Sequence, residues 1–340
     1  MRNQRFGIEI EMTGLSRATA SQVLAGYWNT EATYVGGTYD SYVVRDDEGR
    51  QWKLVSDASI RCQNRDGSSA SKRNSVEFVS PICRYDDIPK IQEMIRQLKA
   101  KGARVNDSCG IHVHVDAAPH SAQTLRNVVN IMASKEDLLY KALKVQVDRE
   151  RYCKKADLRF LDAVNNNRPR TLSEMEQLWY NGASRRYHHY DDSRYRALNL
   201  HSVFSKGTIE FRLFNSTLHA GEVKSYIQLC LAISHQGLVQ KSASRARTQS
   251  ENEKYTFRTW LLRLGMIGDE FKTARLHLLK NLEGNIAWKD PMQAEEQKKR
   301  LAALHDAQGV SPEAPNNEPE SMREEPEDSS EVEDGFAMSM

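Results

Sequence analysis

Two histidines alternate with apolar residues in the stretch 109–116, which reads Cys-Gly-Ile-His-Val-His-Val-Asp. Successive side chains of a β-strand point to opposite faces, so His112, His114 and Asp116 share one face. The isoleucine and the two valines share the other face. Two imidazoles and a carboxylate on one face predict a site for a metal ion or a phosphate group. A half-buried strand with hydrogen-bonded histidines would show the same pattern, so the motif alone leaves both interpretations open.

Acidic residues occupy the polar face of three more strand-like stretches. In each stretch the alternate positions are apolar, which predicts a strand with one buried face. The stretches are 6–12 with Glu9 and Glu11, 75–81 with Glu77, and 208–214 with Glu210 and Arg212. Each has an ordinary explanation as a surface strand or a weak surface ion pair. One shared site explains all four strands together, and we therefore expect their polar side chains to meet.

The types of these side chains indicate hard, oxygen-binding cations. Carboxylates with one or two imidazoles suit Mg²⁺ or Mn²⁺, whereas Zn²⁺ would favour more histidine or cysteine. Two such ions, with Arg212 and Lys53 nearby, would form a clamp for phosphate groups. The alternation over 52–60 puts Lys53, Asp57 and Ser59 on one strand face. No GxxxxGK[ST] loop and no GxGxxG turn after a strand occurs, so a nucleotide would lie on the sheet and be held through metals.

Helices must support these strands, and their apolar spacing predicts where they lie. The apolar periodicity, the capping residues and the terminal glycines indicate eight helices. They cover 17–25, 88–101, 121–144, 171–180, 220–240, 252–264, 269–282 and 291–305. A strand over 195–204, a turn at Lys206 and Gly207, and the strand over 208–214 are predicted to form a hairpin.

Charge is unevenly distributed along the chain. The 340 residues carry a net charge of +2, but residues 311–340 hold ten acidic residues and one basic residue, Arg323. That segment therefore carries −9 and residues 1–310 carry +11, which suits an anionic substrate such as a nucleotide. No basic block with interleaved aromatic residues dominates, so nucleic acid is not an expected partner.

The chain lacks the usual sequence signs of secretion. It has no stretch of 18 apolar residues and no apolar segment behind its N-terminus, so we expect neither a membrane span nor a signal peptide. The five cysteines are scattered without a CxxC pair, which argues against a disulfide framework and a cysteine-rich zinc site. These features predict a cytoplasmic protein.

Taken in order, the motifs resemble those of the amidoligases, carboxylate–amine ligases of the glutamine synthetase and glutamate–cysteine ligase superfamily. The resemblance covers residues 5 to about 240. The motifs are Gly7-Ile8-Glu9-Ile10-Glu11, Lys53-x-x-x-Asp57-x-Ser59, Glu77-Phe78-Val79-Ser80-Pro81, Cys109-Gly110-Ile111-His112-Val113-His114-Val115 and Thr208-Ile209-Glu210-Phe211-Arg212-x-Phe214.

The resemblance implies an α+β fold and a metal-dependent nucleotide site. The sheet would be curved and mostly antiparallel, as in glutamine synthetase, with ATP and Mg²⁺ or Mn²⁺ on its concave face and helices on its convex side. Glu9 and Glu11 would be ligands of two different ions. Glu77 would join Glu11, while His112 and Glu210 would join Glu9.

The remaining site residues are assigned to the nucleotide and the reaction. By the resemblance, His114 would contact ATP, and Arg212 would stabilise the transferred phosphoryl group. Asp57 is our candidate for the base that takes a proton from the amine. The predicted nucleotide contacts are Lys53, Ser59, His114, Asn199 and Arg212, and the predicted catalytic residues are Lys53, Asp57 and Arg212.

The predicted activity is ATP-dependent formation of an amide bond between a carboxylate and an amine. The synthetase signatures for ammonia and glutamate are not recognisable, so the resemblance does not imply those substrates. It implies peptides, cell-wall components or protein tags, and the choice among them stays open. We expect 61–75, a mobile loop, and 145–194 to select the substrate. The catalytic domain is predicted over 1–245, a helical extension over 246–306 and a disordered acidic tail over 307–340. The tail is a candidate contact for a protein partner.

Three other functions fit parts of the sequence. A metal-dependent hydrolase or cupin-like enzyme would use His112 and His114 with zinc or iron, although no later histidine has the spacing that a cupin needs. A non-catalytic protein of the same fold would bind a partner through its basic body and acidic tail. Cys109 is a candidate nucleophile, but a small buried residue is the more common role of such a cysteine.

Overall fold

Eight antiparallel strands form the single open sheet of this α+β fold, seen in a computed structural model that describes residues 1–308. The strands are β1 (Phe6–Met12), β2 (Ala32–Gly36), β3 (Ser41–Arg45), β4 (Gln51–Val55), β5 (Val76–Val79), β6 (Gly110–Asp116), β7 (Leu198–Asn199) and β8 (Thr208–Asn215). Their order across the sheet is β2-β3-β4-β5-β1-β6-β8-β7. The predicted α+β class and antiparallel sheet are confirmed, and the glutamine synthetase-like type stays a prediction.

Eleven helices are present in the described residues. They are α1 (Arg17–Trp28), α2 (Ile88–Ala100), α3 (Ala122–Ala142), α4 (Val147–Glu150), α5 (Leu158–Asn167), α6 (Leu172–Tyr180), α7 (His201–Lys206), α8 (Ala220–Val239), α9 (Glu253–Arg263), α10 (Lys272–Leu279) and α11 (Pro291–Gln308). None of them combines the length and the apolar character that crossing a membrane requires.

The apolar faces of the strands and helices form one hydrophobic core. Ile8 and Ile10 of β1 and Ile111 and Val113 of β6 are almost completely buried. α1 packs against β3 and β4, while α8 packs against β6, α2 and α3. Each buried side chain of this size contributes about 2 kcal/mol. A register slip of one residue would expose this face, so the core also fixes which side chains remain on the polar face.

Strand β8 contains a bulge opposite His112. Phe211 pairs with Val113 and Phe214 pairs with Ile111, so two residues of β8 face one residue of β6. Strict alternation would have put Phe214 on the face of Glu210. The bulge instead returns Phe214 to the core, where it stacks on Tyr226 of α8 with ring centroids 4.4 Å apart.

Two predicted strands are shorter than expected, for identifiable reasons. The predicted strand over 195–204 is only β7, because the chain turns into α7 at His201. Gly207 ends that helix with a φ of 76°, and its N–H donates to the Ser202 and Val203 carbonyls, so it is a helix cap and not a hairpin turn. The predicted strand over 52–60 ends at Val55. The N–H groups of Ser56 and Asp57 leave the ladder and donate to the Tyr39 carbonyl and the Ser75 hydroxyl.

The described chain falls into two units. Residues 1–294 form one compact unit, in which α10 packs against α8 and α9. A second unit begins at Glu295 and contains most of α11. The predicted boundaries at 245 and 306 stay predictions. Apart from residues 307 and 308, the predicted acidic tail lies outside the described residues.

Candidate active site

The polar face of the sheet brings acidic residues of β1 into contact with both neighbouring strands. Glu11 lies opposite Glu77 of β5, and Glu9 lies opposite His112 of β6. Directly opposite residues of an antiparallel pair have Cβ atoms about 5 Å apart. Three carboxylates and one imidazole are therefore concentrated at the centre of the sheet by strand pairing alone.

Strand β8 extends this cluster on the far side of β6. His114 lies opposite Glu210, and Glu210 lies opposite Asn199 of β7. The Asn199 amide donates to Glu210 Oε2 at 2.7 Å, and Arg212 forms an ion pair with the other oxygen. Burial alone would raise the pKa of Glu210, but the charges of Arg212 and then His114 lower it to about 2. Glu210 is therefore held as an anion.

Glu9 contacts both imidazoles of β6. Its Oε2 lies 3.0 Å from His112 Nδ1, and its Oε1 lies 3.3 Å from His114 Nε2. Burial would raise the pKa of Glu9, but the charge of His114 and hydrogen bonds to both imidazoles lower it well below its usual range.

The pKa values of the two histidines shift in opposite directions. Burial, and then the charge of Arg212, lowers the pKa of His112 to about 4. Burial also lowers the pKa of His114, but the charges of Glu9 and Glu210 outweigh it and the net shift is upward. His112 is therefore neutral near pH 7, as a metal ligand must be. His114 is better suited to meet an anion.

Glu11, Asp57 and Glu77 form the part of the cluster with uncompensated charge. Burial, followed by the charge of Asp57, raises the pKa of Glu11 to about 7, although the charge of Arg149 opposes this. Burial, followed by the charges of Glu9 and Glu11, raises the pKa of Glu77 well above its usual range. The protein alone does not neutralise these carboxylates, so a cation would bind them favourably.

Three overlapping groups of side chains have ligand atoms within 4.8 Å of one another. The groups are Glu9/Glu77/His112, Glu9/His114/Glu210 and Glu11/Asp57/Glu77. Each group offers two or three carboxylates and at most one imidazole, a donor set that fits Mg²⁺ or Mn²⁺. All five predicted metal ligands belong to these groups, but the predicted pairing of ligands into two sites stays a prediction.

Two cavities lie on either side of the cluster. The first, which we call the Glu9 cavity, has a volume of about 480 Å³ and is also lined by His114 and Lys206. The second, the Glu11 cavity, has a volume of about 410 Å³ and is also lined by His112 and Arg149. Both volumes lie within the usual range for small-molecule sites.

The structure separates the three predicted residues of the 52–60 stretch. Asp57 lies beyond the end of β4, yet its carboxylate reaches the group of Glu11 and Glu77. The Ser59 hydroxyl donates to Asp57 Oδ1 at 2.5 Å, and both residues line the Glu11 cavity. Lys53 is exposed on β4 and lines neither of the two cavities. The roles assigned to these residues stay predictions.

Two residues of the 109–116 stretch lie outside the chemistry of the cluster. Asp116 forms an ion pair with Arg5 at 2.6 Å and belongs to none of the three groups, although it lines the Glu9 cavity together with His114. Cys109 is fully buried, and burial raises the pKa of its thiol to about 11. A neutral thiol is a poor nucleophile, which argues against the Cys109 alternative.

Sequence reasoning missed two basic residues of the cavities. Lys206 was assigned to a turn, but it ends α7 and lines the Glu9 cavity. Arg149 lies in the segment 145–194, which was expected to select the substrate. The segment has so many charged residues that its sequence did not single out any one of them as a site residue. It supplies five residues of the Glu11 cavity, namely Arg149, Tyr152, His189, Tyr190 and Arg194. The segment 61–75 lines neither of the two cavities.

Comparison with known families identifies the class of protein. The family described as "Putative amidoligase enzyme" matches residues 2–234, a range that includes all eight strands and most of α8. The chain therefore belongs to the amidoligase family, as the strand motifs predicted, and this membership supports a ligase enzyme. No curated protein matches the chain significantly.

Proposed function

We propose that this amidoligase is an ATP-dependent carboxylate–amine ligase that forms a peptide or isopeptide bond through an acyl phosphate. The observation that carries the proposal is the uncompensated carboxylate cluster of β1 and β5, which lies between two cavities. An anionic cluster of this kind fits a nucleotide that arrives with divalent cations. A cavity on each side leaves separate space for the nucleotide and for the substrates to be joined.

The nucleotide is assigned to the Glu9 cavity. Lys206 supplies a positive charge there, and Pro81 and Ile82 supply apolar surface suited to a base. His114, whose pKa is raised, lies between this cavity and the cluster. The predicted nucleotide contact of His114 fits this arrangement. Asn199 instead donates to Glu210, and in this proposal it orients that carboxylate.

The cluster would hold Mg²⁺ or Mn²⁺ through the five predicted ligands. These ligands are Glu9, Glu11, Glu77, His112 and Glu210. When bound, such cations offset the negative charge of the phosphate groups. The chain prepares the ligands in advance, because Arg212 keeps Glu210 ionised and burial keeps His112 neutral.

The reaction would proceed in two balanced steps. A substrate carboxylate oxygen attacks the γ-phosphorus of ATP, and the bond from that phosphorus to the bridging oxygen breaks to release ADP. The amine nitrogen then attacks the acyl carbon, the bond to the phosphate oxygen breaks, and an amide and phosphate result. Arg212 has a buried Nε without a partner, which would donate to the transferred group. Asp57, in the Glu11 cavity, would accept the amine proton.

The experiment is ADP release by the purified full-length chain with Mg²⁺, ATP and panels of carboxylates and amines that include peptides and cell-wall fragments. We expect Glu9→Gln and Glu210→Gln to lower turnover by at least about 100-fold, because each removes a charge from the phosphate site. Glu251→Gln, at an exposed position, is the matched control. Unchanged turnover in both site variants would refute the assignment, and failure to bind ATP with Mg²⁺ would refute the proposal itself.

The rival metal-dependent hydrolase is less well supported by the geometry. None of the three groups contains both His112 and His114, so the two imidazoles do not form a joint chelate for zinc or iron. We therefore retain the ligase as the proposal. A cytoplasmic location and a protein partner for the acidic tail remain parts of it.

A further inference from the structure

Arg149 is a buried arginine with unused hydrogen-bond donors. It lies in the short helix α4, and only 4% of the residue is exposed. Its Nη2 donates to the backbone carbonyl of Arg212 at 3.3 Å, but its Nε and Nη1 have no partner. Within residues 1–308, no carboxylate oxygen lies within 4.0 Å of this guanidinium.

The other buried arginines of the described chain are paired. Arg17 donates to several backbone carbonyls and forms an ion pair with Asp40, and Arg212 forms an ion pair with Glu210. A buried charge without a partner costs free energy of folding. Arg149 is thus the exception among three, and an anionic ligand would remove that cost.

The fold makes room for the Arg149 guanidinium at Gly110. A Cβ atom at Gly110 would overlap the guanidinium. Gly110 is not among the residues with positive φ, so its backbone conformation does not require glycine. Its N–H donates to Glu11 Oε2 at 2.6 Å, which places the guanidinium beside the edge of the carboxylate cluster.

The cavity in front of Arg149 has the walls expected for an organic acid. Glu11 and Asp57 lie on its lining, but three arginines also line it, together with several tyrosine rings. These basic and aromatic residues are Arg149, Arg194, Arg212, Tyr39, Tyr152, Tyr190 and Tyr195. Guanidinium groups bind carboxylates through paired hydrogen bonds, and tyrosine rings contact the carbon chain.

We propose that Arg149 is a specificity-determining residue that binds a carboxylate of the acid substrate in the Glu11 cavity. This inference rests on the proposed function, because it takes the Glu11 cavity as the site of that substrate. The acid would then approach the cluster from the side of Glu11, and the nucleotide from the side of Glu9.

The test measures binding of defined acids to the full chain with Mg²⁺ and a non-hydrolysable ATP analogue. The probes are straight-chain mono- and dicarboxylates of two to six carbons and the corresponding amides. Ligand-observed NMR measures the binding of each probe. We expect one or more acids, and not their amides, to bind the wild type. Arg149→Met should weaken that binding by at least about tenfold, and Arg149→Lys should restore part of it. The exposed Arg263→Met is the matched control.

Thermal unfolding separates recognition from a structural role. Because Arg149 is an unpaired buried charge, Arg149→Met should leave the midpoint of the ligand-free chain unchanged or raise it. Gly110→Ala should displace the guanidinium and weaken acid binding, whereas Gly26→Ala, which meets no atom within 4 Å, should not. A lowered midpoint in Arg149→Met with unchanged acid binding would assign Arg149 to the fold and overturn the inference.

The remaining outcomes are equally decisive. If no acid binds the wild type, or if acids and amides bind equally, Arg149 is not a carboxylate-binding residue. Binding of the ATP analogue is recorded in the same samples. Analogue binding without acid discrimination overturns only this inference, whereas absence of analogue binding overturns the proposed function.

Discussion

Two carboxylate clusters in the described part of the chain, one buried and one partly buried, differ in their partners. In the first, Asp46 accepts hydrogen bonds from the Trp52 indole at 2.9 Å and from Arg50 Nε at 2.8 Å. Asp87 accepts two further hydrogen bonds from Arg50, at 2.8 and 2.9 Å. Burial would raise the pKa of both aspartates, but these hydrogen bonds and the charge of Arg50 lower it.

The second cluster, Glu11, Asp57 and Glu77, has no such partner. Within the described residues no lysine or arginine pairs with these three carboxylates, and the pKa values of Glu11 and Glu77 are raised. The paired cluster therefore stabilises the fold. The unpaired cluster costs stability, a pattern typical of sites that are completed by a ligand.

The largest expected effect is the loss of the partner in the paired cluster. Arg50→Met would leave Asp46 and Asp87 buried without their guanidinium, which should lower the free energy of unfolding by about 4 kcal/mol. Urea denaturation followed by circular dichroism measures this change. Arg45→Met, at an exposed neighbouring position, should change stability by less than about 0.5 kcal/mol. Equal effects of the two variants would contradict the conclusion that Arg50 stabilises the fold as the partner of Asp46 and Asp87.

A metal titration tests the unpaired cluster directly. Glu11→Gln should weaken Mn²⁺ binding by at least about 100-fold, because it removes one charged ligand from a set of carboxylates. Isothermal titration calorimetry of the metal-free chain measures the affinity, with Glu251→Gln as the control. Full retention of affinity in Glu11→Gln would show that this carboxylate is not a ligand.

Metal affinity should also depend on pH near neutrality. Glu11 has a pKa of about 7 in the metal-free chain, so below pH 7 it holds a proton that a cation must displace. Displacement of this proton should raise the affinity by up to about tenfold per pH unit below pH 7, an effect that levels off above pH 7. A proton on Glu77, whose pKa is also raised, would add to this dependence. Calorimetry in buffers with different ionisation heats would report the released proton.

The stability that the paired cluster contributes should depend on pH in the acidic range, and not near neutrality. Asp46 and Asp87 have folded-state pKa values below the unfolded value of about 3.9. Their contribution to stability is therefore present above that pH and is lost as the pH falls through the folded-state values. If the metal affinity changes with pH in this acidic range and not near pH 7, the group that loses its proton on metal binding is not Glu11.

The smallest expected effect is a gain in stability of the metal-free chain. The pKa of Glu77 is higher in the folded state than in the unfolded state. At a pH above the unfolded-state pKa, folding therefore requires that Glu77 either takes up a proton or is buried as a charged group, and both cost free energy. Glu77→Gln should remove this cost and add about 1 kcal/mol to the free energy of unfolding at pH 8. The gain should vanish near pH 4, where both states hold the proton. A loss of stability at pH 8 would indicate that Glu77 has an unrecognised partner.

Alternation along single strands was enough to predict most of the site. Glu9, Glu11, His112 and Glu210 lie on the polar face because their apolar neighbours form the core. The period of two predicts which side chains share a face of a strand, but it does not predict which strands lie next to each other. The order β5-β1-β6-β8, which brings the side chains together, was not predicted; the family resemblance implied only which of these residues would share an ion.

The missed features depend on contacts between residues far apart in the chain. Arg149 shows no periodicity, and its position beside Gly110 follows from tertiary packing. The end of β4 depends on hydrogen bonds to Tyr39 and Ser75, which no local pattern encodes. Gly207 was assigned to a turn because a left-handed glycine suits a hairpin turn as well as a helix cap; the hydrogen bonds of its N–H to the Ser202 and Val203 carbonyls distinguish the two.

The bulge in β8 makes the number of residues there as important as their identity. Glu210 and Phe214 are separated by an even number of positions, yet they belong to opposite faces of the sheet. Insertion of one further residue between them, with the bulge kept, would put both side chains on the same face. Either Phe214 would keep its place against Tyr226 and the carboxylate would turn into the core, or the reverse would occur. In protein engineering, this strand should therefore tolerate substitutions far better than a change in length.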